Sequence, residues 1–177
     1  RYNADRKSIE VDGDLSDWSG VSFIEPRFEP DDDGRGRVTG RGLTTIGDVE
    51  YCAFGEFGGG TWSGPEDHTT AIAVAWDQDG LYLGILVTDD EHEHAAGNAW
   101  NGDGVQMGLT NPEREDPVTH LYNYCIRDGY ESGRVYRNGD AGIIADQERG
   151  PGAYNVAMVR DDAKNTTIYE ALFTPDS

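Results

Sequence analysis

Residues 70–87 read TAIAVAWDQDGLYLGILV, and this stretch decides the fold. Its first half alternates with period two, placing Ile72, Val74 and Trp76 on one face and Ala71, Ala73 and Ala75 on the other. The second half repeats the alternation, with Leu81, Leu83, Ile85 and Val87 sharing a face. Between them the four residues DQDG supply a polar, glycine-ended turn. Two alternating runs joined by a short turn predict a β-hairpin with one buried face.

Working outward, the same pattern recurs in short segments. VQMGL at 105–109, THLYNYCIR at 119–127, GRVYRN at 133–138, YNVAMVR at 154–160 and TTIYEALF at 166–173 all read as strands. DGYESG and DDAKN supply turns between neighbours. Near the start, SIEVDGDLSDW reads as a short strand, a turn, and an anchoring Trp18. Strong helical periodicity is absent. Many short strands separated by turn signals predict an all-β protein, an antiparallel β-sandwich of jelly-roll-like form, as a single domain over 1–177. The stretch 29–69 stands apart. It is rich in Gly and Asp, with little strand pattern, and reads as a long irregular insertion.

Composition narrows the function. The chain has 177 residues, enough to bury a core, and carries 14 Lys plus Arg against 34 Asp plus Glu, a formal charge of −20. Such a surface repels phosphate backbones and anionic lipids, which argues against nucleic acid as a partner. No apolar run approaches the roughly 20 residues that cross a bilayer. The chain opens on Arg1 rather than Met, as a mature or excised segment would. Cys52 and Cys125 leave two outcomes open, one disulfide closing a long loop or two thiols.

No G-x-S-x-G, H-E-x-x-H, P-loop or C-x-x-C pattern is present, so a binding role is expected ahead of catalysis. DDEHEH at 89–94 is the most metal-like cluster. On a strand His92 and His94 would share a face and reach one ion, while Asp89 and Asp90 offer hard oxygens suited to calcium. Calcium is the favoured metal. Asp12 and Asp14 in VDGDLSDW form a second oxygen cluster, although turn formation explains them equally well.

Trp100, within NAWNGDGVQMGL, is a large apolar side chain among Asn, Gly and Asp. An exposed aromatic ring can stack on the apolar face of a pyranose, whose hydroxyls then need fixed polar partners. With Val105, Met107 and Leu109 facing the core, Gln106 points outward between Gly104 and Gly108, a shallow floor that a sugar ring can approach.

IEVDGDLSDW, AVAWDQDGLYLGILVTDD, AWNGDGVQMGL and TTIYEALF together resemble carbohydrate-binding module family nine and its DOMON-like relatives. The resemblance covers most of the chain outside 29–69. It implies a secreted or cell-surface β-sandwich with structural calcium and no organic cofactor, binding an oligo- or polysaccharide, in some members at a glycan's reducing end. Such a module works as a non-catalytic accessory to other domains, for example those of a polysaccharide-degrading enzyme. In those members the sugar lies between two tryptophans, the first matching Trp100, with a Glu matching Gln106. Their Arg on the next strand is replaced here by Tyr122, Asn123 or Tyr124, with Arg127 further on. The family also continues past the strand resembling TTIYEALF, which leaves two expectations open: the sandwich is completed differently, or it lacks its C-terminal strands. Trp62 is a candidate second platform. Two other readings stand beside it. Some DOMON-like relatives hold haem, for which Met107, Met158, His92 and His94 are the candidate ligands. A calcium-dependent structural or surface module fits the charge equally well.

Overall fold

The structure, a computed structural model, describes residues 4–23, 28–30, 36–38, 52–54, 66–95, 102–109, 120–127, 133–138, 147–149 and 155–174. Among these residues the only helical element is a 3-10 turn, Leu15–Trp18; the rest of the regular structure is strand, and the protein is all-β. Twelve strands follow in chain order: β1 (Asp5–Arg6), β2 (Phe28–Pro30), β3 (Gly36–Val38), β4 (Cys52–Phe54), β5 (His68–Trp76), β6 (Leu81–Asp89), β7 (Val105–Leu109), β8 (His120–Cys125), β9 (Arg134–Asn138), β10 (Gln147–Arg149), β11 (Val156–Asp161) and β12 (Thr166–Phe173). They form a five-stranded sheet ordered β1-β5-β6-β12-β11, a four-stranded sheet β10-β9-β8-β7 and a three-stranded sheet β2-β3-β4.

The expected hairpin is present. β5 and β6 pair antiparallel from Trp76↔Leu81 at the turn to His68↔Asp89 at the far end. The turn is closed by the Asp77 N–H donating to the Gly80 carbonyl (3.1 Å) and by the Asp77 side chain accepting from Asp79 N (2.8 Å). β7 and β12 have the bounds anticipated from VQMGL and TTIYEALF. Two expectations change. The N-terminal strand is Asp5–Arg6, paired parallel to β5, and not residues 8–11. The stretch 29–69 is not wholly irregular, because β3 and β4 lie in it and pair, with β2, into an antiparallel sheet.

The four- and five-stranded sheets enclose the main core. Leu83, Ile85, Tyr169, Ala171, Val156 and Met158 from the larger sheet pack with Tyr122, Tyr124 and Val135 from the smaller. Ile72, Val74, Val105 and Met107 close its edges, as the alternation requires. Trp76 shares the Ile72 and Val74 face but sits at the strand end, 44 % exposed, with Arg6 over its ring.

The opposite face of the five-stranded sheet carries a second core. Ile9, Trp18 and Val21 lie there on Ala73, Ala75 and Tyr82. The alanine face of β5 is therefore a bed for the N-terminal segment. Gly84 extends that bed, since a Cβ there would stand 2.8 Å from Trp18 Cζ2. Beside it, across β6, Glu170 is fully buried. Its Oε1 accepts the Trp18 indole N–H (2.6 Å), and its Oε2 accepts the backbone N–H groups of Gly13 (2.5 Å) and Asp12 (3.1 Å). A buried carboxylate satisfied by three donors ties the segment down.

Candidate functional site

Two places on the smaller sheet and its border gather the sequence-derived candidates. The first is the outward face of β7 and β8. Gln106 and Asn123 are direct cross-strand partners, and Gln106 Nε2 donates to Asn123 Oδ1 at 2.8 Å. The bond leaves the Gln106 carbonyl oxygen turned away from Asn123 as an acceptor, on an exposed side chain. Gly104 beside it admits no side chain, because a Cβ would lie 2.8 Å from the Tyr124 carbonyl oxygen. Asn123 itself is buried.

Tyr122 and Tyr124 are not on that face. Both rings are core residues, pointing the opposite way from Asn123 by strand alternation. Burial pushes the Tyr124 hydroxyl above the ordinary phenol range. They are corrected here from ligand candidates to packing residues. Arg127 follows β8 and is half-buried. Trp100 and Trp62 lie outside the described residues. Cys125, buried on β8, donates from its thiol to the Arg134 carbonyl at 3.9 Å, and the Cys52 side chain lies outside the described ones.

The second place is a cavity of about 240 Å³ at the end of the sandwich, where β5 begins, β6 ends and β7 begins. Its walls are apolar, from Ile72, Ile85, Val87, Val105 and Tyr169, and His68, Asp89, His92 and Asp103 join them. These four form two pairs. His68 Nδ1 stands 3.6 Å from Asp89 Oδ2, and His92 Nδ1 stands 3.6 Å from Asp103 Oδ2. Hairpin register brings the first pair together. The second pair arises where the segment after β6 runs back along the start of β7. There the Asp103 carboxylate accepts the Glu93 N–H (2.6 Å), and the Asp103 N–H donates to the Glu93 carbonyl (2.7 Å). Burial holds the Asp103 carboxyl above the ordinary range; the Glu93 N–H and both imidazoles oppose this, and the Asp89 charge adds to it. Arg160, at the end of β11, donates to the Asp89 carbonyl (3.0 Å) and pairs with Asp162 (2.9 Å).

Neither His68 nor Asp103 stood out in the sequence. His92 and His94 were expected to share a face, but they leave the strand pattern and diverge. His92 Nε2 donates to the Ile126 carbonyl (2.8 Å), while buried His94 donates from Nδ1 to the Asp103 carbonyl (2.6 Å). Asp12 and Asp14 close the turn before Trp18, accepting from Asp14 N (2.8 Å) and Ser16 N (2.9 Å). Asp90 is exposed and outside the cavity wall. Among the described residues no group of three or more His, Cys, Asp or Glu side chains is arranged to hold an ion. Met158 is buried in the core and Met107 packs at its edge; neither lines the cavity. No helix among the described residues is long and apolar enough to cross a membrane.

Set beside family models, curated proteins and solved structures, the chain finds no significant match in any of the three comparisons.

Proposed function

We propose that the protein is a non-catalytic, secreted or cell-surface carbohydrate-binding module that takes a glycan on the outward face of β7 and β8. The observation that carries this reading is the Gln106–Asn123 hydrogen bond. It ties the Gln106 amide nitrogen to Asn123 and leaves the carbonyl oxygen of this exposed side chain, set between Gly104 and Gly108, as an acceptor for a sugar hydroxyl. Trp100, four residues before Gly104, supplies the stacking surface, and the amide pair supplies direction. The haem reading gains nothing from the core positions of the two methionines or from a cavity of about 240 Å³.

The test is a glycan panel read by tryptophan fluorescence. A sugar that changes the emission is expected, with Trp100→Ala abolishing the response and Gln106→Ala weakening affinity by about tenfold, the worth of one well-placed hydrogen bond. No response across a broad panel would overturn the assignment.

A further inference from the structure

The cavity at the sandwich end belongs to a different chemistry from the outward face. We propose that it binds a small primary amine, an ammonium head on an apolar body, with the head held by His92 and Asp103. Both residues line the cavity. His92 Nε2 meets the Ile126 carbonyl at 2.8 Å, and a carbonyl only accepts, so Nε2 carries the proton. In the neutral ring Nδ1 is then a bare acceptor. It stands 3.6 Å from the Asp103 carboxylate, a second acceptor, too far for a hydrogen bond. Two acceptors set against each other in a cavity wall call for a donor from outside the pair.

A protonated primary amine fits this place. It offers three N–H donors, so one head serves the imidazole and the carboxylate together and neutralises the second. A hydroxyl brings a single donor, and an anion would be repelled. Asp89 and Asp103 both line the cavity, with no Lys or Arg among its described lining residues. Burial, and after it the Asp89 charge, raise the Asp103 carboxyl, and a bound cation opposes both. The acceptor is also fixed in advance. The Glu93 backbone holds Asp103 through two hydrogen bonds, one to its carboxylate (2.6 Å) and one from its N–H (2.7 Å).

The rest of the wall selects the body. Ile72, Ile85, Val87 and Tyr169 from the larger sheet and Val105 from the smaller one give an apolar lining. Its volume, about 240 Å³, lies below the roughly 300–1,000 Å³ of pockets for drug-sized ligands, which sets the body at a single ring or a short alkyl chain. His68 and Asp89 take part only as wall and as charge.

The experiment titrates the full-length protein by calorimetry with benzylamine and with two controls. Benzyl alcohol keeps the ring and loses the charge; tetramethylammonium keeps the charge and has no N–H. One equivalent of benzylamine is expected, with a dissociation constant on the order of 0.1 mM for so small a ligand. Each control should bind about tenfold or more weakly. Asp103→Asn should weaken benzylamine by about tenfold or more, the worth of a hydrogen bond to a charged group, while Asp90→Asn, outside the wall, leaves it unchanged. The three probes on the unaltered protein decide the matter without any variant. Benzyl alcohol binding as tightly as the amine, several equivalents indifferent to Asp103, or no binding at all would overturn the site. The glycan reading does not depend on the outcome, since sugar response is scored separately on Trp100 and Gln106.

Discussion

Glu170 and Asp103 are both carboxylates withdrawn from water, and they are held in different ways. Glu170, 0 % exposed, accepts three N–H groups, two from the N-terminal segment's backbone and one from the Trp18 indole. Asp103 accepts one backbone N–H and faces an imidazole at 3.6 Å. The first arrangement uses its hydrogen-bonding capacity to specify where a segment lies. The second leaves capacity unspent beside a cavity. A fully satisfied buried polar network rigidifies structure, whereas a loosely tied one keeps its chemistry for a ligand.

The contrast breaks or holds most visibly on removal of Glu170. Glu170→Ala strands the indole N–H and two backbone donors in an apolar setting, and a loss of about 3 kcal/mol or more is expected from urea unfolding. A loss below about 1 kcal/mol would mean that water replaces the carboxylate freely. Gly84→Ala addresses the same bed without touching a polar group. The added methyl meets the Trp18 ring at 2.8 Å, and overpacking of this kind costs about 1–3 kcal/mol. The same urea experiment checks it, and an unchanged midpoint would place Trp18 elsewhere.

This bed shows how far the sequence could be read. Ala71, Ala73 and Ala75 were visible as one face, but alternation alone does not say that a small-residue face is covered by a tryptophan about 55 residues upstream. Strands with four or more alternating residues were legible, and β7 and β12 have their anticipated bounds. β2, β3 and β4, three residues each, are too short to display a period. The pairing of β1 with β5 is parallel and leaves no turn signature. Of the cavity, the His68–Asp89 pair was implicit in the hairpin, because register carried outward from Trp76↔Leu81 ends on it. The His92–Asp103 pair was not, since it requires a non-strand segment to fold back on the start of β7. Gln106 opposite Asn123 needed only the β7–β8 register, which the long connection TNPEREDPVT between them does not fix from sequence.

Acid sharpens the comparison further. Burial is the largest influence on Glu170 and raises its carboxyl above 4.5, against the opposing pull of Trp18, Gly13 and Asp12. The folded state therefore holds this proton more tightly than the unfolded chain does. Glu170's contribution is fully present below the unfolded value and is lost as pH rises through the folded one, at no more than about 1.4 kcal/mol per pH unit. The stability of the protein relative to Glu170→Gln should fall as pH rises from about 4.5, because only the carboxyl titrates. A difference that instead grows with pH over this window would show that the three N–H groups outweigh burial.

The smallest effect is expected at the other carboxylate, and its smallness is the informative part. Asp103→Asn keeps an oxygen to accept the Glu93 N–H and removes a charge that stands against the Asp89 carboxylate. The His92 imidazole loses an attraction that at 3.6 Å was not a hydrogen bond, and the isosteric amide leaves the cavity wall filled. Lost attraction and relieved repulsion nearly cancel, so the stability from urea unfolding at neutral pH should change by less than about 1 kcal/mol in either direction. A loss at Asp103→Asn as large as that at Glu170→Ala would erase the distinction between them, and would make the sandwich end a second structural network.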